Sequence, residues 1–162
     1  MEKLKALVAY LVSAAGLNEE QVSAYVDAGS ISLRGRDQGY AYLSNGEKVP
    51  QLEIGLLRYD GIILIEGYAG SGPLLLALIV AWLAANDPDR ERDGLADPAF
   101  DVDLNDPHSS DFELAIEFEE RLTVRADPAG PIEHNGEKWS LAPLQITPAE
   151  EIAAFEAGLT YA

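Results

Sequence analysis

The sequence predicts an α+β protein: a single domain in which a mixed or mainly antiparallel sheet carries N-terminal helices and a central core helix packed on it. Its 162 residues are the usual size of one domain. Apolar residues first recur at helical spacing, then form a continuous run at 74–85, and then alternate with polar residues along 112–124. We expect the domain to span residues 1–162, with 140–162 as a C-terminal extension.

The N-terminal apolar residues predict two helices. The first is one-sided, and its stripe consists of Leu4, Leu7, Val8, Leu11 and Val12. Because polar residues interrupt this stripe, it differs from the continuous apolar block of a secretion signal. Asn18 and Gln21 have the spacing of a capping box, which predicts a second, short helix that ends at Gly29.

Two regions between the helices predict extended structure. Residues 30–44 alternate weakly around several glycines, which predicts a short, irregular hairpin or an extended loop. Residues 51–67 hold two apolar stretches. Such stretches are typical of one long strand or two adjacent strands near the centre of a sheet.

A glycine-rich turn at residues 67–73 precedes the longest apolar run. Ser71 is the candidate N-cap of the helix that follows, and Pro73 stands at an early helical position where a missing N–H is tolerated. The helix is expected to end near Asn86. Its apolar run is well short of the roughly 20 residues that span a bilayer. We therefore predict a buried core helix and no association with a membrane.

The second half of the chain begins with a charged loop at 87–98 and a strand at 100–104. The clearest pattern follows at 112–124, where apolar residues alternate with Glu, Arg and Thr. This pattern predicts a long strand with one face in the core and one face in solvent. Glu120 interrupts the apolar face, which suggests a bulge or the end of the strand leaving the core.

Two further signals lie near the C-terminus. Asn135-Gly136, between Ile132 and Trp139, predicts a tight hairpin. The residues from Thr147 to Glu150 form a second capping box with a proline at the first helical position. They predict a short tail helix that ends at Gly158.

Composition and charge exclude several classes of protein. The chain has no cysteine, which excludes a disulfide framework, a thiol nucleophile and an iron–sulfur cluster. The formal net charge is −17. Residues 1–81 contain six Lys or Arg and nine Asp or Glu, whereas residues 82–162 contain five and nineteen. Since duplex binding depends on Lys and Arg displacing counterions, this excess of acid argues against sequence-specific binding of nucleic acid.

The turn at Gly67–Pro73 lies between a predicted strand and a predicted helix, as phosphate-binding loops do. The Walker pattern requires a Lys followed by Ser or Thr at the end of the loop, and this sequence has Pro73-Leu74 there. The spacing of the dinucleotide fingerprint is also absent. We interpret the segment as a turn with a helix cap.

The segment Asp101–Asp111 begins like a calcium loop, with oxygen-bearing side chains at its first, third and fifth positions. However, Asp106 stands where such a loop needs glycine, and Phe112 stands where it needs a bidentate Glu. Val102 and Leu104 also alternate as strand core residues would. A strand that ends in a polar turn is the favoured interpretation, and weak binding of a divalent cation is the alternative.

The two histidines, His108 and His134, both lie in predicted turns. Asp106, His108 and Ser109 contain the residue types of a catalytic triad. Neighbours on one turn, however, do not supply its opposed geometry. We therefore predict no catalytic, cofactor-binding or metal-binding residue, no cofactor and no enzymatic activity.

Four segments together resemble a known family. They are residues 25–31, 64–70, 80–89 and 109–124, and the most distinctive parts are Ala-Trp-Leu at 81–83, Asp-Pro-Asp at 87–89 and Glu-Arg-Leu-Thr-Val at 120–124. In order and spacing they resemble the tail completion protein R (GpR) family of contractile-tailed temperate phages. The stretch after about residue 140 departs from the family pattern.

This resemblance implies a non-enzymatic structural protein that acts late in tail assembly, in a role similar to that of tail terminators. The implied partners are tail tube proteins and other tail completion or head–tail joining proteins. A homo-oligomeric ring on the tail is also implied. The protein would occur in the host bacterial cytoplasm during assembly and then in the virion tail. In such a ring, the acids of residues 101–120 could line a lumen that repels DNA.

Two other classes of function remain open. An acidic protein that mimics DNA, or inhibits a partner by occupying its basic groove, would also carry this charge. A small-molecule binder or enzyme that uses the Gly67–Pro73 loop would require a deep pocket beside that loop.

Overall fold

The computed structural model describes residues 1–143, and within them the chain forms two α-helices, one 3₁₀ turn and six strands. In chain order these are α1 (Glu2–Ala14), the 3₁₀ turn (Glu19–Gln21), β1 (Val22–Tyr42), β2 (Lys48–Tyr68), α2 (Gly72–Asn86), β3 (Ala99–Asp106), β4 (Ser109–Ala126), β5 (Ile132–His134) and β6 (Glu137–Leu141). These elements agree with the predicted α+β class. The tail helix predicted at 147–158 lies outside the described residues.

The six strands form one antiparallel sheet in the order β1-β2-β4-β6-β5, and β3 also pairs with β4. The region predicted as one or two strands at 51–67 is one long strand, β2, which lies between β1 and β4. β1 stands at one end of this order. Within the described part of the chain, β1 pairs only with β2, and β3 pairs only with β4. Both strands therefore present an edge that no described strand covers.

The described residues divide into two compact units. The first unit comprises Met1–Ala28 and Tyr59–Phe118. The second comprises residues 29–58 and 119–143. The chain runs through both units in β1, β2 and β4.

The first unit holds the main hydrophobic core. The stripe predicted for the first helix is confirmed, since Leu4, Leu7 and Leu11 of α1 are buried. The core helix is also confirmed: α2 buries Leu75, Ile79, Trp82 and Leu83 against the same cluster. The sheet contributes Tyr59, Ile63 and Ile65 from β2 and Phe112, Leu114, Ile116 and Phe118 from β4. In the described residues, neither helix combines the length and the apolarity needed to cross a membrane.

Polar side-chain bonds join the strands of the second unit. Arg58 donates to Glu119 from Nε at 3.2 Å and from Nη2 at 2.8 Å. Arg125 Nε donates to Gln51 Oε1 at 3.1 Å. The predicted tight hairpin is confirmed between β5 and β6, where Asn135 has φ 52° and Gly136 has φ 77°. These positive angles are the ones that a two-residue hairpin turn requires.

The second N-terminal helix was predicted wrongly. Gln21 does accept from the backbone N–H of Asn18, with Oε1 at 3.0 Å, as a capping box requires. However, only a 3₁₀ turn follows, and β1 begins at Val22. Gln21 Nε2 donates to the carbonyls of Glu66 and Gly67 at 3.0 Å, so the turn is fastened to the end of β2 instead of starting a helix. The prediction of the capping box was therefore correct, and the prediction of a helix extending to Gly29 was wrong.

The irregular hairpin or loop predicted at residues 30–44 is also wrong. These residues belong mostly to β1, a continuous strand of 21 residues in which Gly39 has φ 72°, and the turn that joins it to β2 lies at residues 43–47. Leu43 N donates to Glu47 O at 2.8 Å, and Gly46 N donates to Leu43 O at 2.8 Å. The glycines within β1 weaken the strand signal without breaking the strand.

Two details of the second half differ from the predictions. Val102 and Leu104 of β3 alternate as predicted but are 39% and 77% exposed, so they are not core residues of this chain. Glu120 does not mark the end of β4 leaving the core. Its side chain is buried at 5% exposure, and β4 continues to Ala126. Every buried side-chain N or O in the described part of the chain has a hydrogen-bond partner, so this carboxyl lies in a polar setting.

Candidate docking surface

The glycine-rich loop at Gly67–Pro73 is bonded to the rest of the first unit by its own backbone. Gly67 N donates to Asp111 Oδ1 at 2.8 Å, and Ser71 Oγ accepts from Leu74 N at 3.3 Å, as predicted for the N-cap. The N–H groups of Gly67 and Leu74 are therefore already satisfied. Gly70 lies against the ring of Tyr68 so closely that a side chain would collide with it. This contact accounts for glycine at position 70, and the positive φ of Gly67, 62°, accounts for glycine at position 67.

The loop also depresses one pKa. The backbone N–H of Gly67, followed by the side-chain amide of Asn105 at 2.8 Å, lowers the pKa of Asp111 from its ordinary value of 3.8. Both donors favour the ionised carboxylate. The last residue of the calcium-like segment thus fastens the glycine-rich loop to β4.

The rest of the segment Asp101–Asp111 is a strand and a turn, as favoured from the sequence. Asp101 and Asp103 lie on β3, and Asn105 is bonded to Asp111. Asp106 accepts from His108 N at 2.7 Å and from Ser109 Oγ at 3.3 Å. The hydroxyl of Ser109 therefore contacts a carboxylate and not the His108 imidazole, so these residues form a turn and not the triad geometry. Among the described residues, no group of three or more His, Asp or Glu could hold a metal ion.

A buried ionic cluster explains one of the distinctive sequence segments. Asp87, which is 3% exposed and caps the end of α2, pairs with Lys3 Nζ and with Arg90 Nη1, each at 2.8 Å. Arg90 also donates to the carbonyls of Ala96, at 2.8 Å, and Glu117, at 3.2 Å. The cluster joins α1, the loop after α2 and β4. Asp87 of the Asp-Pro-Asp segment therefore has a structural role.

The acids of residues 101–120 divide into two groups. Several are engaged within the chain: Asp106, Asp111, Glu117 and Glu119 accept hydrogen bonds, and Glu120 is buried. Asp101, Asp103 and Glu113 are exposed. Only part of the acidity that the sequence places here therefore faces solvent.

Among residues 1–143, β1 carries more exposed large apolar side chains than any other element. Of its 21 residues, Ala41 is buried, Val22 is half-buried and the others are exposed. Ile31 is 66% exposed, Leu33 89% and Tyr42 72%. Sheet edges usually carry lysine, proline or a bulge that prevents pairing with another chain, and β1 contains neither lysine nor proline. The outer edge of β1, which we call the β1 edge, therefore leaves backbone groups with which another strand can pair.

Beside the start of β1, the first unit has an apolar groove of about 550 Å³. One side is α1, through Leu4, Val8 and Val12, and the other side is β1, through Val22 and Val26. The groove extends the apolar surface of β1 at its N-terminal end. Sequence reasoning did not find the β1 edge or the groove as sites. The available signal was the alternation of Ile31 and Leu33, which indicates a strand, while residues 30–44 contain no second strand that could pair with it.

Comparisons with known proteins agree with the resemblance seen in the sequence. The family model described as P2 phage tail completion protein R (GpR) matches residues 1–143. A protein of Haemophilus phage HP1 (strain HP1c1), described as "Uncharacterized 19.2 kDa protein in rep-hol intergenic region", is 30% identical over 115 residues, which cover 68% of this chain and 69% of that protein. The predicted family is thereby confirmed, and the chain belongs to the P2 phage tail completion protein R (GpR) family.

Proposed function

We propose that this chain is a non-enzymatic structural protein that completes the end of a phage tail tube, as tail terminators do, and forms a homo-oligomeric ring there. Its partners would be tail tube proteins and other tail completion or head–tail joining proteins. It would assemble in the host cytoplasm and remain in the virion tail. Membership of the GpR family supports the tail assignment.

The observation that carries the proposal is the exposure of the β1 edge. A strand of 21 residues that leaves apolar side chains and one row of backbone groups uncovered is a liability in a free monomer, because such an edge pairs with other chains. In an assembly protein, the same edge supplies affinity through backbone hydrogen bonds and specificity through alternate side chains. The surface therefore fits a protein whose function is to be covered by other proteins.

Immunogold electron microscopy of tails tests this function. The full chain with a short peptide tag would be expressed in the phage or prophage that encodes it, and purified tails would be labelled with gold against the tag. We expect label at one end of each tail, and tails with an abnormal or open end when the gene is deleted. Label along the whole tube, or normal tails after deletion, would contradict the proposal.

An inhibitor that mimics DNA is the second candidate, and the pairing of β3 with β4 favours it. This register places Asp101 beside Glu113 and Asp103 beside Asp111, so carboxylates line one face of the ribbon. Such a protein would compete with DNA for a basic partner. If the chain displaced duplex DNA from proteins of its host and was missing from tails, this candidate would replace the first.

The first proposal includes a ring lumen whose acidic side chains repel DNA. A lumen that repels DNA would depend on exposed acids, which on this ribbon include Asp101, Asp103 and Glu113. Charge reversal at Glu113 should then slow the passage of DNA through completed tails without preventing their assembly.

A further inference from the structure

The β1 edge carries a regular pattern at residues 31–36. Ile31 and Leu33 alternate with Ser32, Arg34 and Arg36, so apolar and basic side chains stand on opposite faces of the strand. Arg34 and Arg36 are both exposed, and neither makes an ion pair within residues 1–143. These two arginines are cations without counterions in a chain whose net charge is −17.

The outer edge of β3, called the β3 edge, carries the complementary pattern. Phe100, Val102 and Leu104 stand on one face and are 52%, 39% and 77% exposed. Asp101 and Asp103 stand on the opposite face and are exposed. Pro98 and Pro107 flank the strand, which confines any pairing at this edge to the eight residues of β3.

The acids of β3 also lie beside other acids. The register with β4 sets Asp101 opposite Glu113 and Asp103 opposite Asp111. Like charges placed directly opposite each other destabilise a sheet. A strand added at the β3 edge with basic side chains on this face would relieve that repulsion.

We propose that the β1 edge of one copy of this chain pairs antiparallel with the β3 edge of a second copy, so that the sheet continues from subunit to subunit. In the register that we assign, Arg34 lies opposite Asp103, Arg36 opposite Asp101, and Leu33 opposite Leu104. Because both strands alternate with the same period, the charged pairs share one face and the apolar residues share the other.

A second copy fits this edge better than an unrelated acidic strand would. The pairing sets basic side chains opposite acidic ones on one face and apolar side chains opposite each other on the other face. Both pairing edges occur in the same chain. The two surfaces differ from each other, so each subunit uses one edge to bind the next, and such a head-to-tail contact produces a ring when its rotation closes. The inference rests on the proposed function, since it supplies the contact from which the ring is built.

Thiol cross-linking tests the register. Because the natural chain has no cysteine, the introduced thiols are the only ones that can react. Residues opposite each other on antiparallel strands have Cβ atoms about 5 Å apart, within reach of a short bis-thiol reagent. Full-length Leu33→Cys and Leu104→Cys proteins would be mixed and cross-linked. We expect several-fold more heterodimer than either homodimer. The control is Leu33→Cys mixed with Leu141→Cys, because Leu141 is 61% exposed on β6.

Two results would overturn the inference. If the heterodimer of an equimolar mixture formed only at the roughly twofold excess of random coupling, as in the control, edge-to-edge contact would be wrong. If Leu33→Cys reacted with Phe100→Cys and not with Leu104→Cys, the antiparallel register would be wrong.

Charge reversal tests the complementarity separately. Changing Arg34→Glu together with Arg36→Glu should weaken self-association, measured by sedimentation velocity at low salt, by about tenfold or more. The control, Arg121→Glu with Lys138→Glu, makes the same change in net charge at exposed positions on other strands. Arg34→Glu and Arg36→Glu combined with Asp101→Arg and Asp103→Arg in one chain should restore association. Equal loss in the control, or no rescue, contradicts the inference.

Failure of this subunit contact can be distinguished from failure of the proposed function. If gold label still marks one tail end while the cross-links and the rescue fail, the protein completes tails through a different contact between subunits. If the cross-links and rescue succeed while the label is absent from tail ends, the subunits pair as inferred and the tail role is wrong.

Discussion

β4 and β1 are long strands of similar length, 18 and 21 residues, and they differ strongly in burial. From Phe112 to Glu120, every second residue of β4 is buried. In β1, Ala41 is the buried residue, and the remainder is exposed or half-buried. The core of one chain therefore accounts for the sequence of β4. It does not account for the sequence of β1, and this is why we propose that β1 contacts other chains.

This difference predicts that stability and docking can be changed independently. Substitutions on the buried face of β4 should unfold the protein, whereas substitutions on the β1 edge should leave its stability intact and change only what it binds.

The largest expected effect is on β4. Phe118 is fully buried, with its ring centroid 5.7 Å from that of Tyr59. Phe118→Ala should lower the free energy of unfolding by about 4 kcal/mol, because it removes a large apolar side chain and leaves a cavity. Leu33→Ala on β1 should change it by less than about 0.5 kcal/mol. Urea unfolding measures both, and similar losses in the two variants would break the comparison.

The next largest effect tests whether the ionic cluster of the first unit is structural. Asp87→Ala leaves Lys3 and Arg90 partly buried without their shared carboxylate, which should cost about 3 kcal/mol of stability. The matched control is Asp89→Ala in the same segment. Asp89 pairs with Arg92 at 3.1 Å on the surface, and its loss should cost less than about 0.5 kcal/mol. Equal melting temperatures for the two variants would show that burial of Asp87 does not matter.

A smaller effect is expected at the start of α2. Ser71→Ala removes the side chain that accepts from Leu74 N and should destabilise the protein by about 1 kcal/mol. Ser71→Asp keeps an accepting oxygen at the N-cap and should retain most of the stability. Thermal unfolding of both variants measures the difference. If Ser71→Asp were as destabilised as Ser71→Ala, the cap would not be the cause.

The smallest effect is a dependence on pH at Asp111. Hydrogen bonds from Gly67 and Asn105 hold its pKa in the folded chain below 3.8. Its carboxylate therefore contributes stability above the ordinary pKa, and this contribution is lost as the pH falls through the lower pKa of the folded state. The difference in urea midpoint between the natural chain and Asp111→Ala should be constant near neutral pH and shrink in acid. A difference that does not change with pH would contradict this assignment.

The elements that supply the core were predictable from the sequence, whereas most of β1, where Ala41 is the buried residue, was not. The stripe of α1, the apolar run of α2 and the alternation of β4 each record contact with one buried surface. Within residues 30–44, Ala41 is the buried residue, so packing in a core imposes little alternation there. Glycines such as Gly35 and Gly39 then weakened the remaining strand signal.

The candidate site followed the same division. The Ser71 cap and the polar turn at Asp106 could be predicted because they depend on neighbours in sequence. The bond from Gly67 to Asp111 joins residues 44 positions apart, and the pairing of Asp101 with Glu113 depends on strand register. Neither could be derived from local pattern. The charge complementarity of the two edges becomes visible only when the outer edges of β1 and β3 are known to have no described strand beside them.

Hydrogen–deuterium exchange of the full chain, alone and bound to tail tubes, tests the central claim most directly. Exposed edges exchange quickly until another strand covers them, whereas a buried strand is protected throughout. We predict that binding slows exchange in peptides from β1 and β3 and leaves the protected peptides of β4 at 112–118 unchanged. Slower exchange elsewhere, with β1 as fast as in the free protein, would contradict the claim that β1 is the docking surface.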